Sequence, residues 1–143
     1  MKTRAMLAAA VIALAVMASA RVASAQNHLV VTIPFDFAAG NASLPAGDYA
    51  VRTSESSRTL LLISTTDPEA SVIIPANAAQ AADVQTQSKL VFNRYGDRYF
   101  LSQVWMEGSA LGKQLMKSAR EKEVATVAKA ETQGRVTLVA SLH

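Results

Sequence analysis

The sequence predicts a mainly β domain, an antiparallel sandwich or flattened barrel of about seven or eight strands with one short helix near the C-terminus. Three observations predict it. The apolar segments are short and rich in Val, Ile, Leu, Phe and Tyr; apolar and polar residues alternate within them; and glycines at 40, 47, 96, 108, 112 and 134 fall between them. β-Branched and aromatic side chains suit a pleated, half-buried surface, and a period of two places every second one on the buried face.

The chain begins with a different pattern. Lys2 and Arg4 precede an apolar run from Met6 to Met17, and two Ala-x-Ala sites follow, Ala18-Ser19-Ala20 and Ala23-Ser24-Ala25. That is the layout of a secretory signal peptide. Residues 1–25 therefore read as a cleavable signal and residues 26–143 as a single β-rich domain, delivered to the periplasm or the medium. Spanning a bilayer takes about 20 apolar residues, and Arg21 cuts this run short, so no stable membrane insertion is expected after cleavage.

Cleavage also changes the charge argument. The formal charge of +3 comes from Lys2, Arg4 and Arg21; without them Lys+Arg equals the 11 Asp+Glu. Binding nucleic acid through a basic patch needs a surviving charge excess, so nucleic acid is not expected as a partner. The absence of cysteine excludes thiol catalysis, CxxC redox chemistry and thiolate metal sites, and it leaves an exported domain without disulfides.

Taken in order, His28 to Phe37 alternates with Leu29, Val31, Ile33, Phe35 and Phe37 on one face. Pro34 removes a ladder donor, which marks an edge strand or a bulge. Leu44-Pro45-Ala46-Gly47 suits a three-residue hairpin loop leading into Asp48–Thr53. Thr59–Ser64 is an apolar strand ending at the turn Thr66-Asp67-Pro68-Glu69, and Ser71–Pro75 starts the next. Ala76–Ser88, rich in Ala and Gln, reads as a mobile connection.

Lys89–Tyr95 and Arg98–Met106, joined by Gly96-Asp97, read as a two-residue hairpin with Phe92 opposite Leu101 and Arg94 opposite Tyr99. In that register Leu90, Phe92, Leu101 and Trp105 share one face, and Val91, Phe100 and Val104 the other. A strand follows near Leu111–Met116. Ser118-Ala119-Arg120-Glu121 has the form of a capping box, opening a helix to about Glu131 with an apolar stripe at Val124, Val127 and Ala128, stopped by Gly134. Arg135–Leu142 closes the chain as an alternating strand.

Ile33-Pro34-Phe35-Asp36-Phe37, Leu44-Pro45-Ala46-Gly47-Asp48-Tyr49, Leu90 to Gly96 and Tyr99-Phe100-Leu101 resemble a family of small exported bacterial β-rich proteins of unknown function. The shared features are a Phe-x-Phe strand, a Leu-Pro-x-Gly-x-Tyr turn and an Arg-Tyr-Gly hairpin. The resemblance spans most of residues 26–143 and implies a fold; it brings no activity, cofactor or catalytic residue.

Chemistry leaves few marks. The two histidines, His28 and His143, lie at opposite ends of the domain, so no metal site is expected, and no cofactor motif is present. Ser109 in Gly108-Ser109-Ala110-Leu111-Gly112 lacks nucleophile-elbow spacing and a neighbouring base. Asp36, Asp48, Asp97 and Glu107 lie near strand ends without a pairing that sequence can choose. The cluster Arg94, Tyr95, Arg98, Tyr99 and Trp105 is the place to look for ligand or partner binding, because Tyr, Trp and Arg dominate recognition surfaces. The alternative is that the rings are core and the arginines pack over them. A non-catalytic exported module binding an unknown ligand or protein partner is the leading expectation. An assembly component pairing through an edge strand and a carboxylate-dependent hydrolase are the alternatives.

Mass spectrometry of the exported protein checks the first of these readings. The expected mass is that of a chain beginning at Gln26; a mass that includes residues 1–25 means an anchor.

Overall fold

The computed structural model describes residues 27–54, 56–128 and 133–140. The expectations for the signal peptide, for the helix beyond Ala128 as far as Glu131, and for Leu142 and His143 lie outside the described residues. Those residues are mainly β, with one helix near the C-terminus, as the sequence predicts. The strands are β1 (Asn27–Ile33), β2 (Phe37–Ala39), β3 (Ala42–Leu44), β4 (Gly47–Thr53), β5 (Thr59–Ser64), β6 (Val72–Gln80), β7 (Ser88–Tyr95), β8 (Arg98–Trp105), β9 (Leu111–Leu115) and β10 (Gln133–Ala140). A 3₁₀ turn spans Pro68–Ala70, and α1 spans Ala119–Val127.

The ten strands form one mixed sheet that is not closed. Its long path is antiparallel throughout: β1-β4-β5-β6-β9-β8-β7-β10. The strands expected from sequence correspond to this path, and β2 and β3 are the addition. β6 bends the sheet: Val72–Pro75 pairs with β5, and Ala76–Gln80 pairs with β9. Strands that change partners at a bend are how sheets turn corners. The first and last strands, β1 and β10, lie beside each other across the seam without pairing.

The core is built from the inward residue of each alternating pair. Leu29, Ile33, Tyr49, Val51, Leu60, Leu62, Leu90 and Phe92 are fully buried. Burying one such side chain contributes about 1.5–3 kcal/mol, which lets a domain without disulfides hold together. The motif aromatics meet in this core as a chain of ring contacts. Tyr49 meets Phe37 at 5.3 Å, Phe37 meets Phe92 at 5.6 Å, Phe92 meets Phe35 at 5.0 Å, and Phe35 stacks on Tyr99 at 3.8 Å. Lys113 also points inward, 5 % exposed, and closes one end of the core by donating from Nζ to the Ser57 carbonyl.

Several expectations are corrected. β1 is an edge strand, the first of the two readings of Pro34, and carries no bulge there; it stops at Ile33 rather than Phe37 and pairs with β4 from Ile33↔Gly47 onward. The predicted three-residue loop at Leu44–Gly47 is therefore one end of a longer excursion, residues 34–46, that carries the β2–β3 hairpin. Ala76–Gln80 is strand rather than mobile connection, because small side chains suffice where β9 supplies the ladder. In the β7–β8 hairpin the pairs Phe92↔Leu101 and Arg94↔Tyr99 are as expected, but the register shifts between Val91 and Phe92 so that Val91 faces Gln103. The extra residue, Ser102, turns Val104 inward and Trp105 outward, exchanging the faces predicted for them. Gly134 lies in β10 opposite Arg94 and stops no helix; α1 ends at Ala128, whose N–H bonds the Val124 carbonyl.

Trp105, once outward, lies over its cross-strand partner Gly112. A Cβ at Gly112 would stand 2.5 Å from the indole and 2.7 Å from the Val104 carbonyl oxygen. Gly112→Ala should therefore destabilise by about 1–3 kcal/mol, the usual cost of overpacking. Gly134→Ala, where a Cβ meets nothing within 4 Å, should change stability much less. Urea unfolding of the two variants checks the contrast; equal losses would mean that the Trp105–Gly112 contact does not constrain the sheet.

Candidate functional site

The tip of the β7–β8 hairpin is set by Gly96, whose φ of +65° gives the turn its shape. Asp97 stays at negative φ, the pattern of a type II′ turn, whose twist matches that of the flanking strands. Arg94 braces the turn by donating from Nε to the Gly96 carbonyl at 2.9 Å. Beyond the turn, β8 is paired along its whole length with β7, but its second edge is divided. β9 takes Gln103–Trp105, and β2 pairs in parallel at Ala38↔Phe100. The β2–β3 hairpin thus stands beside the tip, with an open cleft of about 400 Å³ between them.

Asp36, Ser43, Asp97, Arg98, Tyr99 and Arg120 contribute the polar atoms of this cleft. Three of these side chains are held in place by neighbours. Asp36 Oδ1 accepts the Ala46 N–H at 2.9 Å. Arg120 donates from Nη1 to Ser43 Oγ at 3.0 Å, tying α1 to β3. Tyr99 is stacked on Phe35. Both carboxylates and both guanidinium groups belong to exposed residues.

A second cleft, of about 380 Å³, lies on the other side of the same tip, between Tyr95–Arg98 and the Glu123–Ala128 side of α1. Here the sequence expectation of an apolar stripe on the helix is overturned. Val127 is 85 % exposed, and the buried residue of α1 is Glu121, 4 % exposed. Its Oε1 accepts from Asn93 Nδ2 at 2.9 Å and from the Tyr95 hydroxyl at 3.1 Å. Only half of the predicted capping box forms: Ser118 Oγ accepts the Glu121 N–H at 3.1 Å, while the Glu121 carboxylate turns to the sheet. The helix is docked by hydrogen bonds where the sequence pattern indicates apolar contact.

The structure divides the residues singled out from sequence. Arg98 and Tyr99 line the first cleft, and Tyr95 and Arg98 the second. Arg94 braces the turn. Trp105 sits at the opposite end of β8, its Nε1 donating to Gln103 Oε1 at 3.1 Å, and does not join the others. Asp36 and Asp97, weighed as isolated carboxylates, share the first cleft. Ser43 and Arg120 carried no signal in the sequence; they come together only through the β2–β3 excursion. Among the described residues no three His, Cys, Asp or Glu side chains are placed to hold a metal ion, and no helix is long and apolar enough to cross a membrane. Compared with protein-family profiles, curated proteins and solved structures, the chain matches none.

Burial pushes the Tyr95 hydroxyl above its ordinary value of 10.0, and the Glu121 carboxylate pushes it the same way by its charge and by accepting its proton in a hydrogen bond. Tyr49 is raised as well, first by burial and then by Asp67 and Asp36. The folded chain holds these protons more tightly than the unfolded chain. Their contribution is therefore complete below about pH 10 and is lost as pH rises through the folded values. Tyr95→Phe should remove one ring from the late-ionising tyrosinate absorbance and make the alkaline fall in melting temperature shallower. An unchanged alkaline profile would mean that the Tyr95–Glu121 bond does not dock the helix.

Proposed function

We propose that the chain is an exported, non-catalytic β-domain that binds a ligand or partner at the clefts flanking the β7–β8 tip. One observation carries the reading: three of the six polar side chains of the first cleft are positioned in advance, two by hydrogen bonds at the surface and one by a ring stack that continues into the core. Asp36 is fixed by the Ala46 N–H, Arg120 by Ser43 and Tyr99 by Phe35. Holding side chains before a ligand arrives removes ordering costs of about 0.5–1.5 kcal/mol per side chain.

The core supports placing recognition on the outside. Its inward positions are filled by side chains, and Lys113 closes one end. Edge-strand assembly has one observation in its favour, since β1 and β10 each keep an unpaired edge. Those edges face each other across the seam, which restricts the approach of a third strand. The hydrolase reading draws on Asp36 and Asp97 in one cleft, yet both are exposed, and exposure gives neither the desolvation that general acids depend on.

Tyr95 is a poor test residue, being buried and bonded to Glu121. Asp97→Ala, Arg98→Ala and Arg120→Ala combined remove exposed groups and should lower the melting temperature only by what the exposed Arg120–Ser43 bond contributes. The mature chain, immobilised and exposed to cell-envelope extract, should retain at least one component that the triple variant loses. Identical retention by both would remove the tip as a binding surface.

A further inference from the structure

We infer that the first cleft recognises a neutral, polyhydroxylated ligand, a saccharide; this rests on the reading of that cleft as the binding site. The reason is the kind of polar group it presents. Carboxylates only accept hydrogen bonds, and guanidinium groups only donate them. The cleft sets Asp36 and Asp97 among Arg98 and Arg120, with equal charge of each sign. A hydroxyl both donates and accepts, so neighbouring hydroxyls of one sugar ring can donate to the acids and accept from the bases at the same time.

Charged ligands fit less well. A purely anionic ligand meets two carboxylates, and a purely cationic one meets two guanidinium groups. A zwitterion would match the signs, but ion pairs between exposed groups contribute only about 0–1 kcal/mol. Hydrogen bonds in which one partner is charged contribute about 1.5–3 kcal/mol each, and a hydroxyl collects them without the desolvation cost of an ion. Pre-positioned planar side chains suit this task because ring hydroxyls are rigidly spaced. Asp36 retains acceptor capacity beyond the Ala46 N–H, and Arg120 retains donors beyond the one given to Ser43. Tyr99 and the exposed Pro45 ring add apolar surface along the same cleft for the C–H face of a sugar.

The test is an amide NMR titration of the mature chain with four probes: chitohexaose, cellohexaose, a polygalacturonate hexamer and glycylglycine. At least one neutral hexasaccharide should give saturable shifts at Asp36, Ser43, Asp97–Phe100 and Arg120. Its affinity should change less than about twofold from low salt to 0.5 M, because screening acts on ionic attraction. Asp36→Asn with Arg120→Gln should weaken it by about tenfold or more, two charge-assisted bonds being lost. Shifts at the cleft from polygalacturonate alone would overturn the neutral character of the ligand, and shifts from glycylglycine alone the saccharide class; either would keep the binding cleft. Shifts from none of the four, or only at other residues, would overturn the saccharide class, and the retention experiment with the triple variant then decides the binding reading. Cleavage of a hexasaccharide during the titration would support the class and overturn the non-catalytic reading.

Discussion

The β7–β8 hairpin is covered on both faces, and the rest of the molecule is arranged to cover it. Leu90, Phe92, Leu101 and Val104 face the core, while Val91, Tyr95 and Phe100 face outward and are still buried. A hairpin alone is marginally stable in water, so each face needs a partner. The strands from β1 to β6 supply the inner one. On the outer face α1 meets the hairpin at Asn93 and Tyr95 through Glu121. Using a carboxylate there is a demanding solution: a buried charge left without hydrogen bonds costs several kcal/mol. The two donors from the hairpin make it tolerable and fix where the helix sits. They also fix Arg120, the neighbouring residue, over β3.

The divided edge of β8 explains why the first cleft forms on that side of the hairpin. A single strand running the full length of β8 would have sealed this side. β9 pairs with β8 only from Trp105↔Gly112 to Gln103↔Gln114. β2 reaches the vacant part from the other direction, and its one parallel bridge at Ala38↔Phe100 leaves the tip projecting past it. Gly40, at φ +58°, lets the β2–β3 turn come within 3.1 Å of the Ile74 side chain, measured from where a Cβ would stand. The hairpin is thereby wedged against β6, and its outer residues Asp36, Ser43 and Pro45 become a fixed wall.

Much of the fold was legible because local chemistry decides it. Gly96-Asp97 sets a turn type, the alternation in β1 and β10 sets their inward faces, and Asp67-Pro68-Glu69 forms the turn its residues imply, with Asp67 accepting the Glu69 N–H. The errors share one cause: a long-range partner decided the matter. Ala76–Gln80 became strand because β9 was available, and Trp105 changed faces because one residue was added at Ser102. Helix periodicity pointed to valines, yet the donors on the hairpin selected Glu121. The site was legible only in part for the same reason. Arg98 and Tyr99 stand out as side chains suited to recognition, whereas Asp36, Ser43 and Arg120 gain their meaning from an excursion that no local pattern announces.

The aromatic and turn motifs of the sequence acquire a physical role here. The Phe-x-Phe strand, the Leu-Pro-x-Gly-x-Tyr turn and the Arg-Tyr-Gly hairpin meet in the ring chain from Tyr49 to Tyr99. Each ring contact contributes about 0.5–1.5 kcal/mol beyond area burial, so the chain of contacts ties the β2–β3 excursion firmly to the hairpin. Tyr49 adds an anchor, donating its hydroxyl to the Pro45 carbonyl at 2.6 Å. Pro45 and Tyr99 are also the residues at which the apolar chain reaches the cleft. The same contacts that hold the excursion in place therefore hold the walls of the first cleft.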